Sequence, residues 1–142
     1  MNVLFVFGPS LGALGRRDPD TYGHQSLEEI MAEVTQQASE HEVAWYQSDH
    51  EGDLVGRLLG ARAAGHDAVV LNPGALSHYS YALRDAVEAC ELPVIEVHMS
   101  NIYAREEFRR HSVISEVCRA TITGLGAGGY HLALEAMPWI IS

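Results

Sequence analysis

The residues best suited to proton chemistry sit in a short apolar run, Pro93 to Asn101, reading PVIEVHMSN. Glu96 and His98 are two apart there, so an extended backbone projects both from one face. A carboxylate in so apolar a run needs a partner, because an unpaired buried charge is costly. His98 is the natural one, directly or through a neighbour. A histidine held by a glutamate can give or take a proton near neutral pH; a satisfied core histidine would show the same pair. A second group of candidates lies in FGPSLGALGRRDPDTYG, Phe7 to Gly23, which carries Arg16, Arg17 and Tyr22. Its length suits a lid or binding loop, although a solvated arginine pair beside a packed tyrosine fits the same residues. Further on, NPGALSH (Asn72 to His78) places a polar residue, a turn and a histidine in succession, and Asp85 follows His78 by seven residues, a helical spacing. Arg105 and Arg109, four apart, read as one face of a short helix. Beside a histidine they suit a carboxylate or hydroxyl-rich ligand, or simply a solvated helix face.

Those residues must be positioned by elements, and the hydrophobic periodicity supplies them. Val3 to Phe7, Val43 to Gln47, Ala68 to Leu71, Pro93 to Val97 and Thr121 to Leu125 read as strands. Between them, Ser26 to Ala38, Leu54 to Ala64 and Tyr79 to Cys90 read as helices, the first opened by a Ser26–Glu29 capping box. The expected core stripes are Leu27, Ile30, Met31 and Val34; Leu54, Leu58, Ala61 and Ala64; and Tyr79, Leu83, Ala86 and Cys90. Leu132 to Met137 reads as a last helix ended by Pro138. GLGAGG, Gly124 to Gly129, follows the last strand and lacks the context of a dinucleotide loop, so it reads as a strand-to-helix turn. Alternating strands and helices imply an α/β protein with a doubly wound, five-stranded parallel sheet and helices on both faces, of flavodoxin-like type. In such sheets ligands bind beyond the carboxyl ends of the strands, a rule that selects Gly8 to Gly23, Ser48 to Glu51, Asn72 to His78 and His98 to Asn101.

Composition narrows the classes. The formal net charge of −10 argues against nucleic-acid binding, while a few convergent arginines still permit an anionic small-molecule substrate. All nine basic residues are arginine, so neither a lysine Schiff base nor a P-loop lysine is available. Cys90 and Cys118 lack metal spacing and read as reduced core residues, and His24, His41, His50, His66, His111 and His131 share no ligand pattern, so no metal and no cofactor are expected. No apolar run is long enough to span a membrane. With no leader evident at Met1 to Phe7, a cytoplasmic protein of one domain, residues 1–142, is expected.

Five motifs in order, GRRDPDTYG (Gly15 to Gly23), QSDHEG (Gln47 to Gly52), NPGALSH (Asn72 to His78), IEVHMSN (Ile95 to Asn101) and AREEFRRHS (Ala104 to Ser112), resemble the type II 3-dehydroquinate dehydratases over nearly the whole chain. The resemblance implies elimination of water from 3-dehydroquinate through an enolate. It implies Tyr22 as general base, Arg17 as the arginine of a lid spanning about residues 8–24, and His98 as general acid held by Glu96. Asn72, Ser100 and the backbone at Met99 would hold the substrate carboxylate, and His78 and Arg109 would contact ring hydroxyls. Asp85 would reach the site of a neighbouring subunit in a homo-oligomer, a dodecamer built from trimers. A free phenol titrates near 10, so a tyrosine base working near pH 7 needs roughly 4 kcal/mol of help. One cation at about 4 Å in a partly screened site supplies about that much, which gives closure of a lid carrying Arg17 a chemical purpose.

Two residues depart from the family pattern. Its first loop usually begins NGPN, and here it reads FGPS. Ser10 replaces the asparagine that anchors the water stabilising the enolate, and Phe7 is expected to add apolar bulk at the pocket floor. Losing one such donor costs about 10²–10³ in rate. Three outcomes follow: a dehydratase in which Ser10 holds the water by a shifted geometry, a diverged paralogue acting on another hydroxylated cyclic acid, or a non-catalytic binder. A phospho-receiver domain is excluded by Gly8-Pro9, Asn72 and the absence of lysine. A flavodoxin-like electron carrier is disfavoured by the long arginine-bearing first loop, where a short phosphate cradle is needed.

Overall fold

The computed structural model describes residues 1–141. Five strands, β1 (Asn2–Phe7), β2 (Glu42–Gln47), β3 (Ala68–Asn72), β4 (Val94–His98) and β5 (Ala120–Thr123), form one sheet of order β2-β1-β3-β4-β5, with every pairing parallel. β3 and β4 are buried at every position, and β1 at all but its first. Their unbroken apolar runs reflect helices on both faces. The edge strands β2 and β5 are only partly covered.

The helices are α1 (Pro19–Tyr22), α2 (Leu27–Gln37), α3 (Glu51–Ala61), α4 (Tyr81–Ala89) and α5 (Gly128–Ile141). α2 is opened by the expected capping box, with the Ser26 hydroxyl accepting from Glu29 N at 3.1 Å. Residues of α2 and α5 join one face of the sheet in a core around Phe5, Ile30 and Tyr130; those of α3 and α4 join the other around Leu4, Leu58 and Leu83. No helix among the described residues is long and apolar enough to cross a membrane.

Several boundaries differ from the periodicity. α5 begins at Gly128 and runs through Pro138. The proline removes one backbone donor but leaves only three helical residues beyond it, so it does not stop the helix. The helix expected from Tyr79 is interrupted: a 3-10 turn, Gly74–His78, precedes α4, and Ser80 caps α4 by accepting from Leu83 N at 3.0 Å. Tyr79 is therefore 63% exposed rather than part of the core stripe, and His78 and Asp85 do not share a helix. Ala64 lies past the end of α3 and is exposed. Arg105 and Arg109 do not share a helix either; Arg105 lies between two short turns, Ile102–Ala104 and Glu107–Arg110. Phe7 is 1% exposed and packs against Phe5, Trp45 and Tyr130, with ring centroids 6.4, 6.2 and 5.3 Å away. Its side chain enters the core beside α5 and does not line the pocket floor.

The order of strands places a topological switch between β1 and β3, the usual position of a ligand crevice. The loops leaving those strands are pressed together. Gly8 N donates to Asn72 O at 2.8 Å, and a Cβ on Gly8 would lie 2.5 Å from Pro73 O. Only glycine allows that approach.

Candidate active site

Beyond the carboxyl ends of β1, β3 and β4 lies a cavity of about 130 Å³. Three arginines (Arg17, Arg105, Arg109) and two histidines (His78, His98) line it, and no carboxylate does. This is a local reversal of the chain's negative charge, suited to an anionic ligand. Among the described residues, no cluster of three or more His, Cys, Asp or Glu could hold a metal.

On one wall, β4 presents Glu96 and His98 on the same face. Glu96 is fully buried, and His98 Nε2 lies 2.5 Å from its Oε2. Ser112 Oγ donates to Glu96 at 2.9 and 3.2 Å, and Ser115 Oγ donates to Oε1 at 2.6 Å. Burial alone would push this carboxyl up; the bond and charge of His98 and the hydroxyls of Ser115 and Ser112 outweigh it and hold Glu96 below the usual carboxylate range. An ionised carboxylate only accepts, so Nε2 carries the proton and Nδ1 is left for the cleft.

His78 stacks near His98, with centroids 6.5 Å apart and planes 19° apart. Its Nδ1 meets His111 O at 2.9 Å, which leaves Nε2 as its second ring nitrogen. Burial lowers the affinity of His78 for a proton first; the His111 carbonyl opposes this, while the charges of His98 and Arg109 reinforce it.

The opposite wall comes from the first loop. It is more ordered than its length suggests: Leu11 and Leu14 are buried, a 3-10 turn spans Leu11–Ala13, and α1 carries Tyr22. Arg105 donates to Tyr22 Oη at 2.9 Å and to Ser100 Oγ at 3.1 Å, and Arg17 donates to the same phenolic oxygen at 3.4 Å. The Arg17 guanidinium also stands over the Tyr22 ring, 4.5 Å from its centroid. Tyr22 and His98 therefore line one cavity.

Asn72, at the end of β3, is clamped at both ends of its amide. Nδ2 donates to Tyr130 Oη at 2.8 Å, and Oδ1 accepts from Gly74 N at 3.0 Å. Met99 and Ser100 line the same cavity. Arg109 does too, with its Nε bonded to Glu106 and its guanidinium over the Phe108 ring at 4.7 Å. Ser10 lines the cavity in a left-handed backbone conformation, φ 73°, held by its N–H donating to Asp49 Oδ1 at 2.9 Å. Asp85 does not line this cavity; it is exposed on α4.

Ser112, Ser115, Tyr130 and Asp49 are not among the expected site residues, and the contact of Arg105 with Tyr22 is not expected either. Arg105 carried a signal, but helical spacing paired it with Arg109 instead of with Tyr22, 83 residues away. The two serines lie 16 and 19 residues from Glu96 and carry no local pattern that points to it.

Fold and site together define a flavodoxin-like α/β protein whose cleft gathers arginines, histidines and a tyrosine, a lining suited to an anionic ligand. Comparison with known proteins narrows this. Residues 1–138 match the family model described as dehydroquinase class II. The 3-dehydroquinate dehydratase of Bacillus licheniformis is 53% identical, covering 94% of this chain and 93% of that protein. That of Pelodictyon phaeoclathratiforme is 50% identical, covering 96% and 91%. The crystal structure of the type II dehydroquinase from Butyrivibrio crossotus superposes with a TM-score of 0.94 at 40% identity, covering 97% of each chain. That from Propionibacterium acnes gives 0.92 at 43%, covering 96% and 94%. The chain belongs to the class II dehydroquinase family, a family of hydro-lyases.

Replacing Glu96 with Gln removes the charged acceptor shared by His98, Ser112 and Ser115 and is expected to cost about 1–3 kcal/mol at neutral pH. Because folding lowers this carboxyl's pKa, its contribution is present above the unfolded value near 4.3 and is lost as pH falls through the lower folded value. Denaturation midpoints of wild type and Glu96→Gln should therefore differ most above about pH 4.3 and converge below it. A difference independent of pH would contradict this.

Proposed function

We propose that this protein catalyses the reversible elimination of water from 3-dehydroquinate, giving 3-dehydroshikimate, with Tyr22 as base and His98 as acid. The observation that carries the reading is the pairing across one cavity of a phenol contacted by two guanidinium groups with an imidazole held by a buried carboxylate. In the first step the Tyr22 oxygen, as phenolate, takes a proton from the carbon beside the ketone, and the C–H electrons form an enolate. The Arg105 and Arg17 donors address the oxygen that must carry the phenolate charge. In the second step the enolate electrons re-form the ketone, the neighbouring C–O bond breaks, and His98 protonates the departing hydroxyl from Nδ1. Glu96 stabilises the imidazolium before transfer and fixes its ring. Asn72, Ser100 and the Met99 backbone are assigned to the substrate carboxylate, and His78 and Arg109 to ring hydroxyls. The clamp of Tyr130 and Gly74 on Asn72 supports its assignment, since an amide fixed at both ends presents its remaining N–H in one direction.

Ser10 is assigned to the water that stabilises the enolate. Its backbone position lines the cleft, while its side chain is shorter than the family's asparagine. Assembly belongs to the same proposal: a trimer-based dodecamer in which Asp85 serves a neighbouring cleft. The exposure of Asp85, with Tyr81 on the same helix 68% exposed, supports it.

Incubation with 3-dehydroquinate, followed by absorbance of the conjugated product, tests the activity. Tyr22→Phe should abolish turnover with the fold intact by circular dichroism, and an active variant would remove Tyr22 as base. Ser10→Asn should raise kcat by up to about 10²–10³, the worth of one oxyanion donor, and should not lower the melting temperature, since asparagine tolerates a left-handed backbone better than serine. An unchanged or lower rate would assign the pocket to a different hydroxylated acid. Sedimentation of the purified chain should show one large species; a monomer would end the assembly proposal.

A further inference from the structure

Between the turn ending at Arg110 and the one opening at Ser115, residues 111 to 114 belong to no helix or strand. With Ser115, these residues nevertheless reach both cleft histidines. His111 O accepts from His78 Nδ1 at 2.9 Å. Ser112 Oγ accepts from Ile114 N and Ser115 N at 3.1 and 3.2 Å, which turns its own proton towards Glu96. Ser115 Oγ donates to the other carboxylate oxygen at 2.6 Å. The segment is itself tied down, by Val113 N donating to Ser77 O at 2.7 Å and Arg84 donating to Val113 O at 2.8 Å.

We propose that residues His111 to Ser115 form a positioning strap that locks the two cleft imidazoles in opposite tautomers. His98 keeps its proton on Nε2 against Glu96 and shows Nδ1 to the cleft; neutral His78 keeps its proton on Nδ1 against His111 O and shows Nε2. The inference rests on the proposed acid role of His98 for its functional consequence, but its geometry stands alone. A carbonyl can only accept, so it dictates the tautomer of neutral His78. Glu96 dictates that of His98 only while ionised. A protonated Glu96 could donate instead and release the ring. The two serine hydroxyls, one donating to each oxygen of a fully buried carboxylate, keep it an acceptor. The titratable groups around Glu96 are His98, His78 and Cys118. The Cys118 thiol is pushed up to about 12, by burial first and by Glu96 next, and stays neutral at working pH. Ser112 and Ser115 are thus positioning residues that act on the reaction through Glu96.

The test is long-range nitrogen–proton NMR of the histidine rings in labelled full-length protein, with His78→Gln and His98→Gln for assignment. Opposite tautomers are expected at a pH where both rings are neutral. In the Ser112→Ala, Ser115→Ala double variant the His98 pattern should average between tautomers while the His78 pattern stays. With 3-dehydroquinate, kcat should fall about 10- to 100-fold, part of what a positioned acid contributes, with KM within about twofold and the acid limb of the kcat profile moved to higher pH. That sign follows because removing donors from a carboxylate raises its pKa. Ser115→Thr, which keeps a hydroxyl, should retain the wild-type profile. Identical tautomers in the two rings, or a double variant with His98 pattern and acid limb unmoved, would overturn the strap. Lack of turnover by the wild type would instead defeat the functional reading, and the NMR arm would still decide the strap.

Discussion

The structure of the cleft depends on one buried carboxylate and the imidazole bonded to it. Glu96 sits in the second strand from the sheet's edge, where both faces are covered and water cannot solvate a charge. A carboxylate there is tolerable only with several short hydrogen bonds. It receives them from His98, Ser112 and Ser115, and each bond orients the donor as much as it satisfies the acceptor. The cost of burying the charge is thereby converted into order: a fixed imidazole, and a fixed strap that also holds His78.

The rest of the site builds outward from that wall. The parallel order of the strands brings the ends of β1, β3 and β4 together, and the close approach of Gly8 to Pro73 seals the floor between two of them. The first loop then folds its α1 turn over the opening, so that Tyr22 meets Arg105 from the segment after β4. That contact between residues 22 and 105 ties the loop to the segment after β4, so displacing the loop would carry Arg17 and Tyr22 away together. Ser100 Oγ accepts from Arg105, so the group assigned to the substrate carboxylate and the group behind the phenol share one guanidinium. Under the proposed roles, that side chain would couple substrate binding to base activation.

Much of this was legible in the sequence because it depends on local pattern. Strand runs and helical stripes gave the sheet and most of its cover, and the isolated Glu96 in an apolar run announced its partner two residues on. The type II motifs pointed to Tyr22, Arg17, Asn72, His78, His98, Ser100 and Arg109, which line one cavity, and to Asp85, which does not. What escaped depends on tertiary contact. Ser112 and Ser115 look like ordinary turn residues until the fold brings them to Glu96. Arg105 was paired by spacing with Arg109, because nothing local reveals the break between two 3-10 turns. Phe7 was misplaced because a strand residue can face either side of a sheet buried on both, and the alternation is invisible when every neighbour is apolar. Pro138 was over-read as a terminator, since its effect depends on how much helix remains beyond it.

The most direct measurement is a crystal structure of the Tyr22→Phe protein with 3-dehydroquinate bound. The ring should lie between residue 22 and His98, with its carboxylate against Asn72 and Ser100 and the departing hydroxyl within hydrogen-bond reach of His98 Nδ1, an arrangement that follows from the proposed roles. A substrate bound with its ring out of reach of either side chain, or with His98 turned so that Nδ1 faces Glu96, would contradict it.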